Sequence, residues 1–163
     1  MSAVTPDFVL SEALDGEIAA AAHMLLEAQP VVAMTGAGLS VESGIPPFRG
    51  PGGLWTKYGE PPMDGYQRFL EDPAKAWRER LNPTEGWAKG LVETLRAAKP
   101  NPGHQALVGL EELGVLGTTI TQNVDDLHRQ AGSRSLLEIH GNHVLLRCTE
   151  CHQRYDPCLL YTS

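Results

Sequence analysis

Apolar positions form two different patterns in the first part of the chain. Between residues 11 and 28, Leu14, Ile18 and Leu25 recur at helical spacing, and Ser11 is the expected N-cap. This pattern predicts an amphipathic helix. Residues 31–35, "VVAMT", form a short run rich in β-branched side chains after a proline, which predicts a buried strand.

The same reading predicts alternating helices and strands along the rest of the chain. Short helices are expected over 66–97, a helix over 104–114 that ends at a glycine, and a short helix over 125–132. Further strands are expected over 117–123, 135–141 and 143–148. Strands that alternate with helices predict an α/β fold with a Rossmann-type parallel sheet, in which ligands bind at the carboxyl ends of the strands.

Composition and charge limit the classes of molecule that the protein is expected to bind. The 163 residues carry 13 basic and 20 acidic side chains, a net charge of -7. We therefore expect no direct binding to nucleic acid or to an anionic membrane, whereas a cationic, lysine-bearing partner suits this balance. No basic region followed by an apolar stretch begins the chain, and three cysteines do not make a disulfide framework. A cytoplasmic protein is expected.

A glycine-rich stretch follows the first predicted strand directly. Bare backbone at this position lets N–H groups approach a pyrophosphate. Gly36 and Gly38 give G-x-G, but the next glycine is Gly44, so neither G-x-G-x-x-G nor a P-loop is present. From spacing alone, a plain tight turn and a phosphate-binding turn both remain open. Proline and glycine stay frequent over 46–65, which predicts a long ordered loop or a mobile lid.

Five sequence blocks in a fixed order resemble the sirtuins, the NAD-dependent protein deacylases. These blocks are "GAGLSVESGIPPFRG" followed by "GLW", then "NPGHQAL", "TQNVDDLH", "EIHGN" and a Cys-x-x-Cys. The resemblance covers about residues 17–157. It implies that 1–157 is the N-terminal part of a sirtuin catalytic domain, with a cofactor loop and helical module at about 46–98 and the start of a zinc ribbon at 144–157. Both the Rossmann-type sheet and the helical/zinc-ribbon insertion would then be incomplete.

The resemblance also implies a reaction. Sirtuins transfer the acyl group of an acyl-lysine protein or peptide to NAD, releasing nicotinamide and O-acyl-ADP-ribose. Deacetylation is favoured here, because Arg80 and Pro83 stand where sirtuins that prefer acidic acyl groups carry a Tyr-x-x-Arg pair. Two alternatives remain open: NAD-dependent mono-ADP-ribosyl transfer, and a non-enzymatic module that binds NAD or ADP-ribose.

The matching blocks assign roles to individual residues. His140 matches the general base, and an imidazole titrates near neutrality; Asn123 is the second residue expected to act in catalysis. Asn123 and Asp125 have an alternative reading as helix caps. The residues expected to bind the cofactor are Gly36, Ala37, Gly38, Ser40, Ile45, Pro46, Phe48, Arg49, Gln122, Asn123, Asp125 and His140. Ser40 is expected at the start of the helix that follows the glycine turn.

Cysteine spacing departs from the family pattern. Cys148 and Cys151 form one Cys-x-x-Cys pair, half of a structural Zn²⁺ site. Cys158 stands alone, and residues 158–163 are expected to be a non-native tail. Because a partial sheet exposes an edge and an apolar face, we expect the 163 residues alone to have little or no activity.

Overall fold

The computed structural model describes residues 12–81 and 87–156. The helices are α1 (Glu12–Glu27), a 3₁₀ helix (Ala37–Ser43), α2 (Leu54–Tyr58), α3 (Gly65–Glu71), α4 (Pro73–Leu81), α5 (Trp87–Ala97), α6 (Pro102–Glu112) and α7 (Leu127–Ala131). The strands are β1 (Val31–Thr35), β2 (Leu116–Thr121), β3 (Leu136–Glu138), β4 (Leu146–Arg147) and β5 (Arg154–Tyr155). The predictions for Ser11, Pro83, Cys158 and the 158–163 tail lie outside the described residues.

Three strands form the parallel sheet that the alternation predicts. The order is β1-β2-β3, with Thr35 opposite Thr121 and Thr121 opposite Glu138. The carboxyl ends of all three strands therefore meet at one edge. The strand predicted over 143–148 is only the two residues of β4, and it pairs antiparallel with β5, a strand the sequence analysis did not predict.

Helix α6 begins two residues earlier than predicted, and its cap explains why. Asn101 is the N-cap, and its Oδ1 accepts hydrogen bonds from the N–H groups of Gly103 (2.9 Å) and His104 (3.3 Å). The His104 ring returns a bond, since its Nδ1 accepts from the N–H of Asn101. Pro102 occupies the first helical position, where no N–H is needed. Such a reciprocal cap fixes the helix start.

Burial is one-sided, which corrects the expectation that β1 is a fully buried strand. Val32 is 58% and Met34 68% exposed, whereas Val31, Ala33 and Thr35 on the other face are partly buried. Alternate residues of a strand point to opposite faces, so the described residues cover one face of the sheet only. Helix α1 is confirmed, but its apolar side chains Ile18 and Met24 are also exposed.

The buried residues concentrate beneath the carboxyl ends of the strands. Leu127 of α7 is fully buried and packs with Ile45, Ala98 and Leu95. Polar side chains are buried beside this cluster, which places hydrogen-bonding groups rather than apolar ones at the ends of β1 and β2. Among the described residues, no helix is both long and apolar enough to cross a membrane.

Candidate active site

Two of the sequence blocks meet through buried hydrogen bonds at the sheet edge. Ser40, 1% exposed, donates from Oγ to Asp125 Oδ2 at 2.6 Å. Asn123 Nδ2 donates to Ser40 Oγ and to the carbonyl of Gly36, both at 3.0 Å. The glycine stretch after β1 and the "TQNVD" block after β2 thus form one polar network. We call Ser40, Asn123 and Asp125 the buried triad.

Asp125 uses its two carboxylate oxygens for different partners. Its Oδ1 accepts from the N–H of Leu127 at 3.0 Å, so it does hold the first turn of α7. Its other oxygen is held by Ser40, so the same carboxylate also joins the two blocks. Asn123 makes no capping bond with its side chain. Because both N–H donors of its Nδ2 have partners within the protein, its Oδ1 is the atom left for a ligand.

His140 follows β3 and is tied to the second block. Its Nδ1 lies 3.0 Å from the carbonyl oxygen of Gln122. A carbonyl oxygen can only accept, so Nδ1 must carry the proton, and in the neutral ring Nε2 is then an acceptor. The residue is exposed, which leaves Nε2 accessible. This tautomer is the one a general base needs.

The stretch after β1 differs from expectation in one respect. A 3₁₀ helix runs over Ala37–Ser43, so Ser40 lies at its middle rather than at its start. The first hydrogen bond of the turn runs from Leu39 N to the Gly36 carbonyl, at 3.0 Å. The N–H groups of Ala37 and Gly38 come before that bond, and a Cβ placed on Gly36 or Gly38 would meet open space. The backbone here is accessible to a ligand.

The loop after Gly44 is folded on itself. Leu54 N donates to the Pro47 carbonyl and Trp55 N to the Phe48 carbonyl, at 2.9 and 2.8 Å. Gly53 has no room for a side chain, since a Cβ there would lie 2.7 Å from the Phe48 carbonyl oxygen. Helix α2 therefore interrupts the segment predicted as a loop over 46–65.

That fold separates the loop residues predicted to bind the cofactor. Ile45 is buried in the core, and Pro46 is partly buried beside it. Phe48 packs on Trp55 with ring centroids 5.0 Å apart. The Arg49 guanidinium lies 4.5 Å from the Trp55 ring centroid and pairs with Glu60 at 2.8 Å. Phe48 and Arg49 are thus held by their own loop, not joined to His140 or the buried triad.

Two buried histidines, His104 and His128, lie beneath the ends of the strands. The sequence assigned no specific role to either. The His104 and His128 rings meet edge to face with centroids 5.0 Å apart. His128 Nε2 lies 2.8 Å from Thr35 Oγ1, at the end of β1. Burial lowers the pKa of both imidazoles, and His104 lowers the pKa of His128 further. Both are therefore neutral at neutral pH.

Glu138, at the end of β3, was also missed. Its side chain is 3% exposed and accepts from Arg129, Arg154 and Asn142. The signal available in the sequence was a glutamate directly before "IHGN", in a strand otherwise apolar at that point. No spacing rule connects it with Arg154.

Cys148 and Cys151 lie on the turn between β4 and β5. Backbone N–H groups of Cys151 and Glu150 point at the Cys148 sulfur and lower its pKa, which favours the thiolate that binds metal. Both thiols are free. Within 12–81 and 87–156, no three residues of the His, Cys, Asp and Glu types group as a metal site. Two thiols are fewer than the four ligands that a structural Zn²⁺ site needs.

A comparison of the whole chain with known families matches the arrangement of these blocks. The profile of the Sir2 family matches residues 36–162. The chain belongs to the Sir2 family. This result confirms the resemblance to the sirtuins, and it covers every block that contributes to the site.

Individual proteins with similar sequences and structures are consistent with this family. The chain is similar to the NAD-dependent protein deacylase of Pyrococcus abyssi, with 44% identity over 131 residues, 80% of this chain and 49% of the relative. A Sir2 homologue mutant solved with ADP-ribose superposes with a TM-score of 0.62 at 41% identity, over 90% of this chain and 53% of the other. A Sir2 enzyme solved with a deacetylated p53 peptide and 3'-O-acetyl ADP ribose gives 0.64 at 33% identity, over 90% and 57%. The chain spans about half the length of the curated relatives it matches.

Proposed function

We propose that the gene product is an NAD-dependent protein-lysine deacylase, with acetyl-lysine as its acyl substrate. The observation that carries this proposal is the position and tautomer of His140. Its Nδ1 is engaged by the Gln122 carbonyl, its Nε2 is an accessible acceptor, and the buried triad lies at the same end of the sheet. The relatives' names support the same reaction.

The residues present fit NAD. The N–H groups of Ala37 and Gly38, which precede the first hydrogen bond of the turn, suit its phosphates, and the open space at Gly36 and Gly38 admits them. Bound NAD would supply the ribose from which nicotinamide leaves. Asn123 Oδ1 would accept a hydrogen bond from the bound NAD. His140 Nε2 would take a ribose hydroxyl proton.

Asp125 and Ser40 act on this site through Asn123. Ser40 Oγ is free to accept from Asn123 because its own hydroxyl hydrogen is directed at Asp125 Oδ2. Ser40 Oγ and the Gly36 carbonyl together fix which way the Asn123 amide faces, and so present Oδ1 rather than Nδ2 to a ligand. Gln122, Ile45, Pro46, Phe48 and Arg49 keep their predicted roles in cofactor binding as part of this proposal.

We also propose a structural Zn²⁺ ion held by Cys148 and Cys151. Tetrahedral closure needs two further ligands. The metal would brace the turn between β4 and β5 and take no part in the chemistry of the site. A cytoplasmic location stays a prediction from cysteine usage.

Exposure supports the expectation that the 163 residues alone have little activity. Val32, Met34, Leu137 and Ile139 are each more than half exposed on the described sheet. Exposed apolar area of this kind favours association between chains rather than a single chain with an ordered active site. The activity assay therefore uses the full gene product.

Mass spectrometry of a peptide substrate separates the proposed reaction from its alternatives. The full gene product is incubated with NAD and an acetyl-lysine peptide. Loss of the acetyl group together with formation of O-acetyl-ADP-ribose supports the proposal. Gain of ADP-ribose by an acceptor would support mono-ADP-ribosyl transfer instead. NAD binding without any change of either substrate would support the binding module and overturn the deacylase.

A further inference from the structure

One ion pair joins the Cys148–Cys151 hairpin to the parallel sheet. We call residues 146–155 the hairpin. Arg154 in β5 places its Nη1 2.7 Å from Glu138 Oε2, and Glu138 is the last residue of β3. His140 follows only two residues later. A contact made by the return strand of the hairpin therefore ends two residues before the histidine proposed as the base.

Three residues donate hydrogen bonds to Glu138. Arg129 of α7 binds it with two nitrogens, Nε at 3.1 Å and Nη2 at 2.7 Å, while Arg154 binds from the hairpin. Asn142 adds a third donor at 2.6 Å. With its side chain 3% exposed, the carboxylate has exchanged its water for these donors. Its position depends on all of them.

Asn142 carries the constraint to the far side of His140. Its Nδ2 donates to Glu138 Oε1 and, at 2.7 Å, to Asp126 Oδ1, while its Oδ1 accepts from the N–H of Val144. Gly141 N donates to the Glu138 carbonyl, and Gly141 has a φ of +81°. The turn 138–142 is thus closed by bonds at both of its ends, with His140 inside it.

Asp126 shows that this arrangement is enforced. Its φ is +67°, a left-handed conformation that costs energy for a residue other than glycine. The carboxylate accepts from Asn142, and Arg129 lies 4.0 Å away. Strain of this kind persists only where the surrounding bonds overdetermine the backbone.

The hairpin itself favours contact with Glu138. Arg147 lies directly opposite Arg154 in the antiparallel pair. Like charges in opposite positions of a strand pair repel each other. The carboxylate of Glu138 offsets this repulsion at Arg154, so the hairpin is more favourable when it docks on the end of β3 than when it stands apart.

We propose that Arg154 is a positioning residue for the reaction: it fixes the hairpin to Glu138 and thereby holds the 138–142 turn that carries His140. The position of the imidazole thus depends on whether the Cys148–Cys151 hairpin is folded. Arg154 itself touches neither substrate nor cofactor. The catalytic part of this inference rests on the proposed deacylase function, whereas the structural part does not.

The test compares three variants of the full gene product. Arg154→Gln removes the charge, Arg154→Lys keeps it, and Arg147→Gln removes a charge from the opposite strand without touching Glu138. We expect Arg154→Gln to lower kcat roughly 10- to 100-fold with little change in KM for NAD, because the base is displaced while the cofactor contacts remain. Arg154→Lys should recover most of kcat, and Arg147→Gln should keep it. Melting temperature and zinc content identify any variant that has merely unfolded.

A second readout needs no turnover. The imidazole ¹⁵N chemical shifts of His140, recorded without substrate, should move in Arg154→Gln and stay in place in Arg147→Gln. Unchanged shifts, or a wild-type kcat in a folded Arg154→Gln, would overturn the inference. If the wild type turns over no substrate at all, the proposed function fails, and the ¹⁵N shifts still decide whether Arg154 positions His140.

Discussion

The hydroxyl of Ser40 donates to Asp125 Oδ2 over 2.6 Å and joins residues 85 positions apart in the sequence. Both residues are buried, and Asn123 completes the arrangement by donating to the same hydroxyl. A single oxygen therefore contacts two side chains from the "TQNVD" block. Ser40 thereby links the glycine stretch to that block.

Replacing Ser40 by Ala should reduce stability. The change leaves the Asp125 carboxylate and the Asn123 amide each short of a partner in a buried site. We expect the free energy of unfolding in urea to fall by about 1–3 kcal/mol. Thr56→Ala is the matched control, because the Thr56 hydroxyl is exposed. Equal effects of the two changes would show that the buried bonds contribute nothing.

Glu138→Gln should remove a pH-dependent part of the stability. Burial raises the pKa of Glu138, but hydrogen bonds from Arg129, Asn142 and Arg154 outweigh it and lower the pKa from 4.5 to about 2. A group whose pKa is lower in the folded state stabilises the fold above its unfolded pKa. The contribution is therefore complete at neutral pH and is lost as the pH falls from 4.5 towards 2.

Urea unfolding at several pH values measures this contribution. The gap between wild type and Glu138→Gln should be roughly 2 kcal/mol at pH 7, after allowance for the half-exposed arginines, and should close in acid. Glu60→Gln is the control, since Glu60 and Arg49 form an exposed pair that should contribute less than about 1 kcal/mol. A gap that stays constant down to pH 2 would show that Glu138 is not held as a charged group.

His128→Gln should flatten the loss of stability in mild acid. Burial lowers the pKa of His128 below its ordinary 6.5, so the folded state takes up its proton at a lower pH than the unfolded chain. Stability is therefore full above pH 6.5 and falls below it. The variant should decline less between pH 7.5 and 5 than the wild type, although His104 keeps part of the slope. A decline as steep in the variant as in the wild type would refute the assignment.

Cys148→Ser and Cys151→Ser should each lower the zinc content of the full gene product. Each variant loses one of the two thiolates that the hairpin turn presents, so tight binding of the metal should be lost. Atomic absorption on the purified protein checks the zinc-to-protein ratio. Thr149→Ser is the comparison, because it changes the same turn without removing a thiolate. Zinc retained by both hairpin variants would contradict the metal proposal.

Local patterns predicted most of the fold. Helical spacing identified α1, a β-branched run identified β1, and the alternation of helices with strands predicted the parallel sheet. Burial of β1 was predicted wrongly, because a β-branched run does not say whether one face or two will be covered. The start of α6 was placed two residues late because its cap depends on the pairing of Asn101 with His104, which apolar periodicity does not report.

The site was predictable only in part for a related reason. The blocks named Ser40, Asn123, Asp125 and His140, but not which of them touch. The bond between Asp125 and Ser40 and the contact between Glu138 and Arg154 are made only when separate elements pack together. Long-range contacts of this kind leave no spacing signal in a single sequence.

The central claim is that His140 is the base of an NAD-dependent deacylase. The most direct test measures deacetylation of an acetyl-lysine peptide and ADP-ribose binding for the full wild-type gene product and for His140→Ala. We predict that the variant loses at least about 100-fold in kcat, as expected for a general base, while it binds ADP-ribose with affinity close to wild type. Turnover by His140→Ala at the wild-type rate, or an inactive wild type that still binds ADP-ribose, would contradict this account.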